Sequence, residues 1–211
     1  MSIDPIAEAA EAVRRGSLIV VPTDTVYGIG TRPDDPDATG ALFDAKERPR
    51  GLTLPVLVAN VQEARSVALL DERAERLASV LWPGILTLVL PRTPRSAAWD
   101  LGEAAGTIAV RVPSHPLTLA LLARTGPMAV TSANRSGEPP ARTCDELTAA
   151  FGDLVSVYLC RDDEPLEGTA STVVDLTGSR PRLVRRGACA AETIDGLLGS
   201  EGPLLDSGTL P

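Results

Sequence analysis

The chain contains one lysine, Lys46, within the stretch "DAKERPR" from Asp44 to Arg50. Of the 20 basic residues the other nineteen are arginine. Arginine is a rigid planar fork, whereas lysine is a compact point charge on a flexible stem. A position that keeps lysine against such a bias is one that needs the point charge, and phosphate chemistry is a setting that does. Arg48 follows two residues later. Further polar clusters sit where apolar runs stop. "LIVVP" leads to Thr23, Asp24 and Thr25, "AVRVP" carries Arg111, and "MAV" leads to Thr131, Ser132 and Asn134. A second group of arginines lies in "SRPRLVRRG", Ser179 to Gly187. Polar loops at strand ends are where open sheets place ligands. These groups suit a polyanion together with a small polar molecule, with catalysis by positioning and charge stabilisation.

Each stretch also has a structural reading. "TDTVYGIG" reads as a tight polar loop in which Asp24 and the threonines satisfy the backbone. "KERPR" reads as a solvated helix end whose cations suit the macrodipole, and "TSANRSG" as an Asx-type turn. Arg111 lies within an apolar strand, and a buried arginine requires a partner, so a structural ion pair is one reading of it. His115, between Ser114 and Pro116, reads as structural. There is no Walker A sequence, no glycine fingerprint after the first strand, and no nucleophile elbow.

At 211 residues the chain suits one well-buried domain. Aromatics make up 3%, so the core rests on Val, Leu, Ile and Ala. A net charge of −8 argues against non-specific nucleic-acid binding over a broad face. Cys144, Cys160 and Cys189 have no metal-ligand spacing, and with one histidine a zinc site is not expected. They read as reduced thiols that fill space. No apolar run approaches a membrane span, and "MSIDPIAEAAEAVRR" has no secretory pattern. The expected location is cytoplasmic.

Helices are expected at "IDPIAEAAEAVRRG" with Asp4 as cap, Ala38 to Lys46, Asp71 to Trp82, "PLTLALLART", "TCDELTAAFG" with Thr143 and Glu146 as a capping box, and "AAETIDGLL". Strands are expected at "SLIVVP", "LPVLVAN", "ILTLVL", "TIAVRV", "MAVTSAN", "VSVYL", "STVVDL" and "RLVRR". Several strands look buried on both faces. The fold class read from this is mixed α/β: a mixed sheet in three layers with helices on both sides. Residues 1–198 form the domain, and 199–211 read as a loose tail.

Taken together and in order, "PTDTVYGIG", "AKERP", "WPGILTLVL", "TIAVRVPSHP", "TSANRSGEP", "STVVDLT" and "LVRRG" resemble the YrdC-like threonylcarbamoyl-adenylate synthase family, from Leu18 to Gly187. The resemblance implies a twisted mixed sheet around a deep concave cleft, in the stand-alone single-domain form. It implies an enzyme, a nucleotidyltransferase, that joins threonine, bicarbonate and ATP into threonylcarbamoyl-AMP and pyrophosphate. Magnesium would be held mainly by the phosphates, with no metal site on the protein. A downstream transferase would carry the group to the adenosine beside the anticodon of certain tRNAs, which leaves room for a weak RNA contact. No membrane is involved.

Carried over residue by residue, the resemblance puts Thr25 on the substrate threonine, with Thr23 and Tyr27 shaping the same loop. Arg111 would find its partner in the substrate carboxylate, and Ser171 would contact threonine from the opposite wall. Lys46 and Arg48 would be catalytic, facing the triphosphate with Arg185. Thr107, Ser132 and Asn134 would line the nucleotide side. Three departures stand out: Gly51, Leu52 and Thr53 where several relatives carry an acid, an amide or lysine, and proline; Leu57 where some carry histidine; and "RRG" near the end where "RPG" is usual. Two rival readings are a carbamoyl-adenylate-forming domain of another pathway and a non-catalytic RNA-binding module.

Overall fold

A ten-stranded mixed sheet runs through the computed structural model, which describes residues 4–103, 106–160, 166, 168–199 and 204–206. The elements in chain order are α1 (Pro5–Arg14), β1 (Leu18–Val21), β2 (Gly28–Thr31), α2 (Pro36–Ala45), β3 (Val56–Leu57), α3 (Val61–Val67), α4 (Glu72–Leu81), β4 (Leu86–Pro91), α5 (Pro94–Ala97), β5 (Thr107–Arg111), α6 (Pro116–Thr125), β6 (Met128–Ser132), α7 (Cys144–Phe151), β7 (Val155–Tyr158), β8 (Thr172–Asp175), β9 (Arg182–Arg185), α8 (Ala191–Leu198) and β10 (Leu205–Asp206). The strand order is β10-β9-β8-β4-β5-β3-β6-β2-β1-β7. Parallel pairs (β9 with β10, β1 with β7, β3 with β5, β4 with β8) are mixed with antiparallel ones (β1 with β2, β2 with β6, β3 with β6, β4 with β5, β8 with β9).

The helices start where short polar side chains can take the first free N–H groups. The Asp4 carboxylate accepts from the Ile6 N–H at 3.0 Å, Asp35 from Asp37 and Ala38, Asp71 from Ala74, and Thr143 from Glu146. The Glu146 carboxylate reaches Arg142 N rather than the cap residue itself. α2 begins two residues before the expected Ala38, because Asp35 followed by Pro36 makes a better start.

Side-chain alternation along the strands separates two faces. Leu18 and Val20 of β1 join the larger core with residues of α2, α4, α7 and α8, while Ile19 and Val21 join a second core under α1 and α6. On β4 and β5, Leu86, Leu88, Leu90, Ile108 and Val110 fill the larger core. Their neighbours Thr87, Val89, Ala109 and Arg111 line an open hollow on the other face. Helices thus cover one face throughout and the other face at the β1–β2 end.

Four expectations are corrected. The second half of "TDTVYGIG" is not loop but β2, a central strand. Glycine is a poor strand former, yet an ideal Cβ at Gly30 would sit 2.5 Å from the Ala129 carbonyl oxygen, so only glycine lets β2 lie this close to β6. "LPVLVAN" yields two strand residues, Val56 and Leu57. The expected tail is partly anchored: β10 pairs with β9, and the Leu204 N–H reaches the Asp195 carboxylate at 2.8 Å. Residues 200–203 and 207–211 of that tail lie outside the described residues. The thiols are not all free, since Cys144 and Cys160 form a disulfide with Cα atoms 5.6 Å apart, leaving Cys189 buried and reduced. Their spacing carried no sign of this, because the pairing is made by α7 folding back onto β7.

Candidate active site

A hollow of about 430 Å³ opens on the uncovered face of the sheet. Its polar walls are Thr23 and Thr25 after β1, Arg48 after α2, Arg111 at the end of β5, Ser132 at the end of β6, and Ser171 and Arg185 on the far side. Pro55, Leu57, Val89, Ala109 and Val130 make an apolar floor. Gly51, Leu52 and Thr53, the departing loop, form part of the rim.

Arg111 is 6% exposed, and its partner is within the protein. Its Nη2 donates to Asp24 Oδ1 at 2.7 Å, its Nη1 to Thr25 Oγ1 at 2.9 Å and its Nε to the Gly84 carbonyl at 2.8 Å. Of the two readings of this arginine, the structural ion pair is present in the folded chain. Asp24, a residue outside the expected site, neutralises it, since a buried guanidinium without a counter-charge is too costly to fold around. Of five guanidinium N–H groups, three are used by described residues. Asp24 Oδ1 also accepts from the Ser114 N–H, and its Oδ2 is buried without a hydrogen-bond partner.

On the opposite wall, Arg185 donates through Nε and Nη2 to the Ser171 carbonyl and through Nη2 to Ser171 Oγ at 3.0 Å. Ser171 Oγ is in turn 2.8 Å from Thr87 Oγ1. Leu183 points into the core, so strict alternation would bury Arg185 beside it. An irregularity in the β8–β9 register between Val173 and Val174 turns both Val184 and Arg185 toward the hollow. Arg186 is left outside, 67% exposed and paired with Asp206. Gly187 closes this wall: an ideal Cβ there would lie 2.3 Å from the Ala170 carbonyl and 2.4 Å from the Ser171 carbonyl carbon.

Lys46 is buried, 1% exposed, and is not on the wall of the hollow. Its Nζ donates to the Ser132 carbonyl at 2.5 Å and to the Asn134 carbonyl, while its own carbonyl accepts from the Ser136 N–H. The expected direct contact with a triphosphate is thus corrected to a grip on the loop that follows β6. Burial, and after it the charge of Arg48, push the ammonium down to about 7. Glu47 adopts the left-handed conformation at φ 50°, which separates the inward Lys46 from Arg48. Arg48 holds the rim, donating to the Leu52 and Thr53 carbonyls at 2.7 and 3.0 Å.

Asn134 donates through Nδ2 to the Arg135 and Glu138 carbonyls, and its Oδ1 is buried without a partner. Two expected residues stand apart. Tyr27 is buried in the larger core. Thr107 is on the same side of β5 as Ala109 and Arg111 but about 13 Å from the latter, beyond the residues that line the hollow.

The electrostatics connect these pieces. Burial lowers the affinity of Arg48, Arg111 and Arg185 for their protons, and nearby cations lower it further: Arg185 acts on Arg48, and Arg111 on Arg185. Lys46, Arg48, Arg185 and Arg111 form a chain of like charges, with the three arginines lining the hollow and Lys46 outside its wall. Among the described residues, Asp24 is the one acid paired with any of them. No described group of three or more His, Cys, Asp or Glu could hold a metal ion. The arrangement can receive an anion, orient it over an apolar floor, and stabilise charge that develops on it.

The family described as "Telomere recombination" (Sua5/YciO/YrdC) matches residues 11–187. A Mycobacterium tuberculosis protein is 44% identical over 196 residues, covering 92% of this chain and 89% of the relative. The threonylcarbamoyl-AMP synthase of Chromohalobacter salexigens is 37% identical over 177 residues, 82% of this chain and 93% of its own. The crystal structure of Pyrococcus abyssi Sua5 complexed with L-threonine superposes with a TM-score of 0.87 at 34% identity, covering 98% of this chain and 60% of the longer one. With both the family match and these relatives spanning most of its length, the chain belongs to the Sua5/YciO/YrdC family.

Proposed function

We propose that this chain is a threonylcarbamoyl-AMP synthase, condensing L-threonine, bicarbonate and ATP into threonylcarbamoyl-AMP and pyrophosphate. The observation that carries the reading is the row of three cations, buried Lys46, half-buried Arg48 and the more exposed Arg185, with which the described residues pair no acid. Such a cluster is set to receive an anion from outside, and a triphosphate provides several charges at once. Relatives that carry the synthase name over most of this length, and the threonine complex of the Pyrococcus protein, support the same reading.

In this reaction threonine's amine first takes up bicarbonate, with loss of water, giving an N-carboxy group. One oxygen of that carboxylate attacks the α-phosphorus, and the bond to pyrophosphate breaks. Arg111 offers its remaining N–H groups to threonine's α-carboxylate, between Thr25 on one wall and Ser171 on the other. Arg48 and Arg185 face the phosphates and stabilise the charge that builds on departing pyrophosphate. Lys46 acts as a positioning residue: it holds the Ser132–Asn134 loop so that Ser132 Oγ and the unpaired Asn134 Oδ1 address the nucleotide. Magnesium enters with the phosphates as part of the substrate, which matches a protein site rich in cations. Acting in the cytoplasm, the chain hands its product to a transferase that modifies tRNA.

The test is incubation of the protein with ATP, bicarbonate and each of several amino acids, followed by detection of acyl-adenylate and pyrophosphate. Threonine-dependent formation of both is expected. Pyrophosphate release that is indifferent to threonine, or an adduct built from carbamoyl phosphate instead, overturns the assignment.

A further inference from the structure

We infer that Cys144 and Cys160 constitute a reversible dithiol–disulfide site, exchanging with low-molecular-weight disulfides and thiols, that staples the end of the nucleotide-side loop to the sheet edge. The two Cα atoms are 5.6 Å apart, so either redox state is reached without moving the backbone. Both cysteines are half-buried and within reach of a small reagent. Cys189 differs: it is 5% exposed, and burial pushes its thiol up, away from the reactive thiolate. Cys144 is the first residue of α7, where the helix N-terminus favours a thiolate, and Asp145 and Glu146 in the same turn oppose it.

The position gives the bond its consequence. The chain from Asn134 to Cys144 is held at its start by Lys46, through the Ser132 and Asn134 carbonyls, and at its end by the disulfide. Cys160 lies two residues beyond the end of β7, whose partner β1 runs into Thr23 and Thr25; between them the Leu159 N–H still bonds to the Val20 carbonyl. The bond therefore ties the loop that carries Asn134 to the strand edge beside β1, which leads into Thr23 and Thr25. Breaking it leaves α7 held by its Thr143 cap and by Leu147 and Phe151 in the core.

The exchange balances in two steps. The Cys144 thiolate attacks a small disulfide, forming a mixed disulfide and expelling one thiolate. The Cys160 thiolate then attacks Cys144 Sγ and expels the second. Two protein thiols lose two electrons and two protons, and the small disulfide becomes two thiols.

The experiment equilibrates the native full chain in reduced and oxidised glutathione at varied ratios, then labels it with N-ethylmaleimide and weighs it intact. The oxidised chain should take no label and the reduced chain two, with Cys189 labelled only after denaturation. The reduced chain should melt lower by roughly 6–12 °C, from the loop the bond closes, and be cut faster between residues 134 and 143 by a non-specific protease. The variant Cys144→Ser with Cys160→Ser should match the reduced chain and ignore the glutathione ratio. A persistent glutathione adduct, one label in the reduced chain, or equal melting and cleavage in both states overturns the site. None of these readouts involves turnover, so they stand apart from the fate of the proposed reaction.

Discussion

Replacing Asp24 with alanine strands a buried charge, and the cost follows from its surroundings. Arg111 is 6% exposed and the Asp24 side chain 14%. Asp24 Oδ1 takes two donors, Arg111 Nη2 at 2.7 Å and the Ser114 N–H at 3.1 Å. The variant leaves Arg111 with two neutral acceptors, Thr25 and Gly84, and with the positive charge of Arg185 close enough to be felt. Removing one partner of a buried pair costs about 3–5 kcal/mol, a large share of the ~5–15 kcal/mol that holds a domain together. For a chain of this length the melting point should fall by roughly 6–20 °C. Urea titration of four proteins, the parent, Asp24→Ala, Arg111→Met and the double variant, measures the coupling directly. The double variant should be more stable than Asp24→Ala alone, with a coupling energy of at least about 2 kcal/mol. A cost under about 1 kcal/mol for Asp24→Ala, or additive effects in the cycle, would refute the account of Arg111 as a residue held by its own acid.

Lys46→Met should leave the domain folded yet cut threonine-dependent pyrophosphate release about a hundred- to a thousandfold, the range for losing one preorganised contact. The same variant reports on pH. The folded ammonium is lowered to about 7 from 10.5, so between those values the unfolded chain binds more protons and stability rises with pH, by at most about 1.4 kcal/mol per unit; urea midpoints at pH 7, 8 and 9 should rise less steeply once Lys46 is methionine. Gly187→Ala pushes a methyl into the Ala170–Ser171 backbone, so KM for threonine should rise by tenfold or more, as followed by pyrophosphate release. Glu47→Gly relieves a left-handed residue and should stabilise the fold by about 1 kcal/mol, read from denaturant midpoints; a loss of stability would mean that the exposed ion pair with Arg135 outweighs the strain.

Much of the layout was legible because it follows from local rules. Aspartate or threonine ahead of an apolar periodicity marked helix starts at Asp4, Asp71 and Thr143, and short apolar runs marked β4, β5 and β8. What escaped depends on distant neighbours. β2 holds two glycines whose use is apparent only with β6 alongside. Arg185 faces the hollow through a slip in register with β8, a property of two strands together. The lone lysine pointed to the right loop, but its acceptors are main-chain carbonyls 86 and 88 residues away, and carbonyls leave no mark in a sequence. Asp24 was passed over for a similar reason: its partner is 87 residues on, and beside two threonines it looked like turn chemistry.

The shortage of acid around Lys46, Arg48 and Arg185 sets like charges against one another. Backbone carbonyls and the sheet hold these side chains in place against mutual repulsion, and any multivalent anion that enters releases that tension as added resilience. Sulfate or phosphate in a storage buffer would thus compete with nucleotide and steady the protein together, so comparisons of heat tolerance between preparations have meaning only at matched salt.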